Sequence, residues 1–337
     1  MNNPSIAPIF AAIDIGSNAA RLLIKRLELP EVPGTDAPAQ LRKVFFLRYP
    51  LRLGDDVFTP AGRISPQRQR KMLYMIKAFK QLMRLYDVNH LAACATSAMR
   101  EARDGDKLLE RIRRKTGIRI RLISGAEEAG IIYGNHVGYA AGLSRPCAYV
   151  DVGGGSTEIS VLAAGGEVVS SQSYKIGTLR MLHEGADYSQ RILADISQGL
   201  ERARQELGGA AIDIVGSGGN INKLYRLVHA KSTSQILTTA ELEQMLGRLE
   251  PLTPQERMQA FGLKPDRADV IVPAGLIFRT AARALGARHI HVPMLGLADG
   301  MIDRMAERYI KRWEKKNGKS ECELPLEEEG DHDAIEA

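Results

Sequence analysis

At 337 residues the chain is long for a single hydrophobic core, so two domains are expected. Its 44% hydrophobic content is ordinary for a globular protein. No apolar run reaches the roughly 18 residues of a membrane span, and no basic segment followed by an apolar stretch opens the chain, so neither a span nor a secretory leader is expected. The net charge of +6 hides an asymmetry, because residues 321–337 carry eight acidic side chains and no Lys or Arg. The remainder holds 46 basic against 32 acidic residues, a net of +14 that should attract polyanions. No helix-turn-helix, zinc-finger or RNA-binding pattern accompanies that charge, so no specific nucleic-acid partner is expected. Cys94, Cys147 and Cys322 form no C-x-x-C pair, which fits buried thiols in a reducing cytoplasm.

In chain order, strands are expected over residues 9–13, 21–27 and 43–49. A helix then starts with Ser65 as N-cap and Pro66 in its first turn. Met72, Ile76, Phe79, Met83 and Tyr86 follow at spacings of four, three, four and three, a core-facing stripe. A strand over 90–95, a helix over 106–115 and a strand over 118–123 complete the first half. Three strands followed by alternating helix and strand is the order of a ribonuclease-H-like unit. The second half repeats it, with strands over 148–152, 158–163 and 168–174, a helix over 189–206 and a strand over 211–215. Helices over 239–248, over 269–285 with a break or kink near Pro273, and over 297–315 follow, with a short strand over 289–292. Residues 317–337 are acidic, sparse in apolar residues and expected to be disordered.

The stretch Ala148 to Val161 carries the chemistry. An apolar strand ends in Asp151, and Gly153, Gly154 and Gly155 then make a turn without side chains, where backbone N–H groups can approach a phosphate. Ser156 adds a hydroxyl, and Glu158 starts the returning strand. A carboxylate beside an anion nest needs a cation to reconcile the two, and Mg²⁺ is the usual one. A glycine hairpin of this kind is also common as a plain turn, but a second copy stands near the N-terminus. There Asp14 is followed by Gly16, Ser17 and Asn18, and the returning strand starts at Arg21. Two such hairpins, one opening each half, point to a duplicated unit gripping one phosphate-bearing ligand.

The pair of hairpins resembles the two phosphate loops of the acetate kinase, sugar kinase, Hsc70 and actin superfamily. More narrowly, DIGSN at 14–18 with DVGGGSTE at 151–158 is similar to the exopolyphosphatase and guanosine pentaphosphate phosphohydrolase (Ppx/GppA) family. So are ATSAMREA at 95–102, ISGAEEA at 123–129, the turn Gly177 to Arg180, and RADVIVP at 267–273. The likeness runs from about Phe10 to Tyr309. It departs at the third loop, Gly216-Ser217-Gly218-Gly219-Asn220, where the family often has Gly-Thr-Gly-Gly-Thr, and at Leu297-Ala298-Asp299-Gly300, where Leu-Arg-Glu-Gly is usual.

The resemblance implies an α/β fold of two ribonuclease-H-like, actin-like ATPase domains with a phosphate cleft between them, the first over 1–130 and the second over 131–316. It implies a Mg²⁺-dependent hydrolase that releases terminal phosphate from inorganic polyphosphate or, alternatively, acts on guanosine pentaphosphate. Read alone, Glu127 and Glu128 are solvated charges at a helix start; the resemblance makes Glu128 the general base and Glu127 a structural neighbour. Asp14, Asp151 and Glu158 are then the expected metal holders. Phosphate contacts fall to Gly16, Ser17, Asn18, Arg21, Arg100, Gly153, Gly154, Gly155, Ser156, Arg180, Gly216, Ser217 and Gly218. A homodimer is allowed, and no membrane partner is expected. A kinase or ATPase of the same fold, or a non-catalytic polyphosphate-binding protein, is the reading from another class. His289 and His291 lack a third ligand nearby in sequence, and Ile221 stands where a dinucleotide fingerprint needs its last Gly.

Overall fold

A computed structural model describes residues 7–29, 39–140, 145–230 and 234–316; the expected tail over 317–337 lies outside them, as does Cys322. The first half runs β1 (Ile9–Ile15), β2 (Ala20–Glu28), β3 (Gln40–Tyr49), α1 (Gly54–Val57), α2 (Pro66–Leu85), β4 (His90–Ala95), α3 (Ser97–Glu101), α4 (Gly105–Thr116), β5 (Arg121–Leu122) and α5 (Gly125–Ala140). The second runs β6 (Cys147–Val152), β7 (Thr157–Leu162), β8 (Val168–Tyr174), α6 (Thr178–Glu184), α7 (Ala186–Glu206), β9 (Asp213–Ser217) and α8 (Gly219–Val228). It ends in β10 (Ile236–Thr238), α9 (Thr239–Leu249), α10 (Pro254–Phe261), α11 (Pro265–Ala268), α12 (Ile271–Leu285), β11 (His289–His291) and α13 (Leu297–Lys316).

The strands form two sheets, ordered β3-β2-β1-β4-β5 and β10-β11-β9-β6-β7-β8. In each, an antiparallel meander of three strands is extended by parallel strands beside its first member. The expected duplication is thus present, with β10 added antiparallel at the edge of the second sheet.

Strand alternation sorts the side chains between layers. In β1, Ile9, Ala11, Ile13 and Ile15 enter a core with α2 and α4, while Phe10 and Ala12 face the other way, onto α13. In β6, Ala148, Val150 and Val152 join the core under α7 and α12, while Cys147 and Tyr149 face the opposite side. Asp14 and Asp151 fall on the second of these alternations in their strands, so both acids leave the main cores. Ser65 caps α2 through the Arg68 N–H, as its sequence predicts.

Three expectations are corrected. Helix α13, expected with the second domain, packs Leu297, Met301, Ile302 and Met305 against Phe10, Leu23 and Cys94 of the first sheet. Its apolar face shares that cluster with Ile131 and Ile132 of α5. The kink near Pro273 is absent, because α12 begins at Ile271 and the proline sits in its first turn, where backbone N–H groups lack partners anyway. The strand expected over 118–123 pairs only at Arg121 and Leu122, with Ile118 and Ile120 buried beside it. Among the described residues no helix is long and apolar enough to cross a membrane.

Candidate active site

Four residues form one row across the second sheet. Ser217 on β9 pairs with Asp151 on β6, Asp151 with Glu158 on β7, and Glu158 with Ser173 on β8. The equivalent row of the first sheet reads Cys94, Asp14, Arg21, Arg48. The duplication therefore sets a glutamate in one half opposite an arginine in the other. That single difference gives the two aspartates different partners. Arg21 binds Asp14 at 2.5 Å, and Asp14, whose charge still acts on Glu128 and Asp151, is not among the three carboxylates that converge. Asp151 faces Glu158 instead, and two adjacent carboxylates repel unless a proton or a cation intervenes.

The third carboxylate comes from α5. Ser124 caps this helix by accepting the Glu127 N–H, and the Glu128 N–H bonds the Ser124 carbonyl. This tight first turn aims Glu128 at the row, while Glu127 turns outward to Arg121 at 2.5 Å. Oxygens of Glu128, Asp151 and Glu158 lie within 4.8 Å of one another. Among the described residues this is the one group of acidic, His or Cys side chains so placed. Oε2 of Glu128 and Oε2 of Glu158 are buried with no hydrogen-bond partner. Orphaned hard oxygens converging at this separation fit a hard divalent cation. A cavity of about 10 Å³, the size of one water, borders the row beside Tyr149 and Ser160.

Electrostatics follow from this crowding. Burial, then the charges of Glu158, Asp151 and Asp14, push the Glu128 carboxyl well above the usual range, and Arg100 opposes them. Burial and Asp151 raise Glu158 to about 7, against the hydroxyls of Ser156 and Ser173. Asp151 is raised by burial, moderated by the Ser217 hydroxyl and Arg21. Proton affinity is thus stored where a cation would displace it.

The hairpin turns are packed together rather than apart. A Cβ on Gly154 would meet Ser17 Cβ at 2.9 Å and the Asn18 N at 3.0 Å. One on Gly155 would strike Phe58 at 2.3 Å and Ser97 Oγ at 2.4 Å. These glycines let one hairpin seat on the other, a use that the phosphate-nest pattern does not announce. The Gly16 and Gly153 N–H groups close their own turns onto Ala19 and Ser156. Ser17 Oγ accepts the Ala98 N–H.

Several expected phosphate ligands have other partners. Arg180 is buried, donates to the Gly155 carbonyl at 2.8 Å and Glu101 at 2.6 Å, and lies over the Phe58 ring. It therefore braces the glycine turn. Gly216 faces Ile290 and Phe278 in the core, and the Ser217 hydroxyl donates to the Leu295 carbonyl at 3.4 Å beside Asp151. Gly218, at φ 108°, leads α8 past Asp151 where a Cβ would meet the Val152 carbonyl at 2.8 Å. Arg100 donates to the Ile123 carbonyl at 2.5 Å and opposes the upward push on the Glu128 and Glu158 carboxyls.

Sequence reasoning passed over Arg267. It donates to Asn220 at 2.6 Å, and burial with the charges of Arg48 and Arg21 lowers it to about 9. Three half-buried arginines from distant segments so share one region, an arrangement that favours an anion. Only the RADVIVP segment itself hinted at it.

Comparison with known proteins adds a lineage to this geometry. The model of the Ppx/GppA phosphatase family matches residues 35–309. A guanosine-5'-triphosphate,3'-diphosphate pyrophosphatase of Aeromonas hydrophila is 26% identical over 330 residues, covering 91% of this chain and 64% of its own length. Exopolyphosphatase 2 of Mycobacterium tuberculosis is 27% identical over 298 residues, covering 82% and 91%. The chain spans 59% of a similar pyrophosphatase from Vibrio vulnificus, so it accounts for under two-thirds of such relatives. An exopolyphosphatase from Cytophaga hutchinsonii superposes with a TM-score of 0.75 at 22% identity, covering 89% of this chain and 98% of that one. A Ppx/GppA family member from Aquifex aeolicus gives 0.71 at 23%, covering 90% and 99%. The fold is shared with both.

Proposed function

Because the chain belongs to the Ppx/GppA phosphatase family, we propose that it is a Mg²⁺-dependent phosphoanhydride hydrolase releasing terminal orthophosphate from inorganic polyphosphate. The observation that carries this reading is the convergence of Glu128, Asp151 and Glu158, with two oxygens left unpartnered, at a seam flanked by arginines. Asp151 and Glu158 are fixed on paired strands and are assigned to the cation. Asp14 is assigned to holding Arg21. The chemistry a bound Mg²⁺ supplies is neutralisation of charge on phosphoryl oxygens and screening of the three carboxylates.

Glu128 accepts the proton of the attacking water, because its carboxyl has a raised proton affinity and sits on a capped helix turn. As the water oxygen bonds to the terminal phosphorus, the bond to the bridging oxygen breaks in line, and the shortened chain leaves with the electron pair. Arg21, Arg100 and Arg267 face the charge that develops on the phosphates. The basic balance of residues 1–320 favours a long polyanion. Guanosine pentaphosphate at the same site is the second reading, favoured by the names of the Aeromonas and Vibrio relatives. A cytoplasmic location fits Cys94 and Cys147, both buried and free.

Phosphate release from long-chain polyphosphate, guanosine pentaphosphate and ATP, each with Mg²⁺ or chelator, tests the reading. Fastest release from polyphosphate, abolished by chelator, is expected. Glu128→Gln should lower kcat on the order of 10² or more while substrate still binds. Turnover by that variant within about threefold of wild type would place the base elsewhere.

A further inference from the structure

Glu158 is buried, yet one of its partners is on the surface. Ser173 is exposed on β8, the edge strand of the second sheet, and its hydroxyl donates to Glu158 Oε1 at 2.9 Å. Glu158 Oε2 is buried and has no hydrogen-bond partner, and an oxygen of Glu158 lies within 4.8 Å of oxygens of Asp151 and Glu128. A carboxylate held by one oxygen has its second oxygen aimed, whereas an unheld one rotates about its terminal bond. At the other end of the row Ser217 pairs with Asp151 in register and moderates its carboxyl, while its hydroxyl donates to the Leu295 carbonyl at 3.4 Å. The two cross-strand acids are thus flanked on both sides by serines.

The fit depends on Gly125 at the start of α5. A Cβ there would lie 2.4 Å from Ser173 Oγ, 2.7 Å from Ser173 Cβ and 3.4 Å from Glu158 Oε1. With no side chain at that position, the first turn of α5 closes over the Ser173–Glu158 bond and brings Glu128 up to the same acids. Two residues earlier on the same strand β8, Ser171 shares a hydrogen bond of 2.8 Å with the Ser160 hydroxyl instead of with a carboxylate.

We propose that Ser173 is a positioning residue for cation binding: its hydroxyl holds Glu158 Oε1 so that Oε2 stays directed at the site shared with Asp151 and Glu128. The inference rests on the proposed assignment of Asp151 and Glu158 to a divalent cation. Partners of a ligating carboxylate commonly change metal affinity by about 10- to 100-fold when removed. Ser173 is exposed and water can take its place in part, so the low end of that range applies here.

The test uses Mn²⁺ as the probe, its binding to the full-length protein followed by electron paramagnetic resonance. Ser173→Ala should weaken Mn²⁺ binding about tenfold, and should raise the Mg²⁺ concentration for half-maximal phosphate release while leaving kcat at saturating Mg²⁺ within about twofold. Ser171→Ala, equally exposed on the same strand, should bind Mn²⁺ like wild type. Both variants should melt within about 2 °C of wild type, since each removes one solvent-accessible hydroxyl. Equal weakening in the two serine variants would overturn the proposal, because the effect would then belong to the strand. So would unchanged binding in Ser173→Ala while Glu158→Gln loses Mn²⁺. If Glu158→Gln itself binds Mn²⁺ as wild type does, the cation assignment fails and takes the proposal with it.

Discussion

At Glu158 and Glu128 the same atoms govern stability and metal dependence. Both carboxyls are raised above the ordinary value of 4.5, Glu158 to about 7, through burial and mutual charge. The folded protein therefore holds protons that the unfolded chain releases between about pH 4.5 and 7. The stability they contribute is complete below that window and is lost as pH rises through the folded values. In chelator the melting temperature should fall from about pH 5.5 to 8, and Mg²⁺ should restore more of it at the upper end, where no proton competes. Scanning calorimetry of wild type and Glu158→Gln checks this. A wild-type profile no steeper than that of the variant would mean the acids do not share the site. Asp14 teaches the complementary lesson. Its hairpin signature matches that of Asp151, but the residue across the strand is Arg21, so identical local motifs carry opposite electrostatics.

At the scale of elements, α13 shows how a buried ion pair fixes a helix to a distant sheet. Lys25 of β2 is buried and reaches Asp299 at 2.9 Å and Asp303 at 3.3 Å. Asp299 is the residue at which the family pattern has Glu, and it also accepts the Gly296 N–H at the helix start. Burial raises the Asp303 carboxyl, with Lys25 working against that. Lys25→Met would leave two neighbouring carboxylates without their cation. Discounted for their partial exposure, the loss should be about 2–3 kcal/mol, read as a lower urea midpoint with unchanged slope. A loss under about 0.5 kcal/mol would show that the apolar face alone seats the helix. Periodicity predicted α13 to within a residue, but its partner sheet was beyond any pattern in the helix itself, since an apolar stripe carries no address.

Across the whole molecule, the two halves are tied by ion pairs as well as by the seated hairpins. Arg48 meets Asp266 at 2.5 Å, Arg52 meets Asp269 at 2.8 Å, and Arg180 meets Glu101 at 2.6 Å. Asp266 and Asp269 lie on either side of Arg267 in sequence and occupy Arg48 and Arg52, two further cations open to a polyanion on the proposed reading. Replacing them with asparagine removes an internal competitor for phosphate. The double variant Asp266→Asn, Asp269→Asn should lower KM for long polyphosphate about three- to tenfold at low salt, an advantage that shrinks as salt is added. An unchanged or raised KM would show that these acids position the arginines instead of competing for them.

The duplicated meander, the capped helix α2 and the hairpin acids Asp151 and Glu158 were legible in the chain, because each depends on neighbours in sequence, whereas Glu128 was singled out only through the family resemblance. Glycine turns, alternation and N-caps are local physics, and local physics survives without a fold. The pairing of Arg21 with Asp14 across two strands, the diversion of Arg180 and Ser217 to bracing roles, the recruitment of Arg267 and the hold of Ser173 on Glu158 were not legible. Each joins residues whose distance is set by strand register and by the packing of one half on the other. A carboxylate's partner is whatever lies within about 3 Å in space, and that is decided only once the sheets have formed and closed on α5.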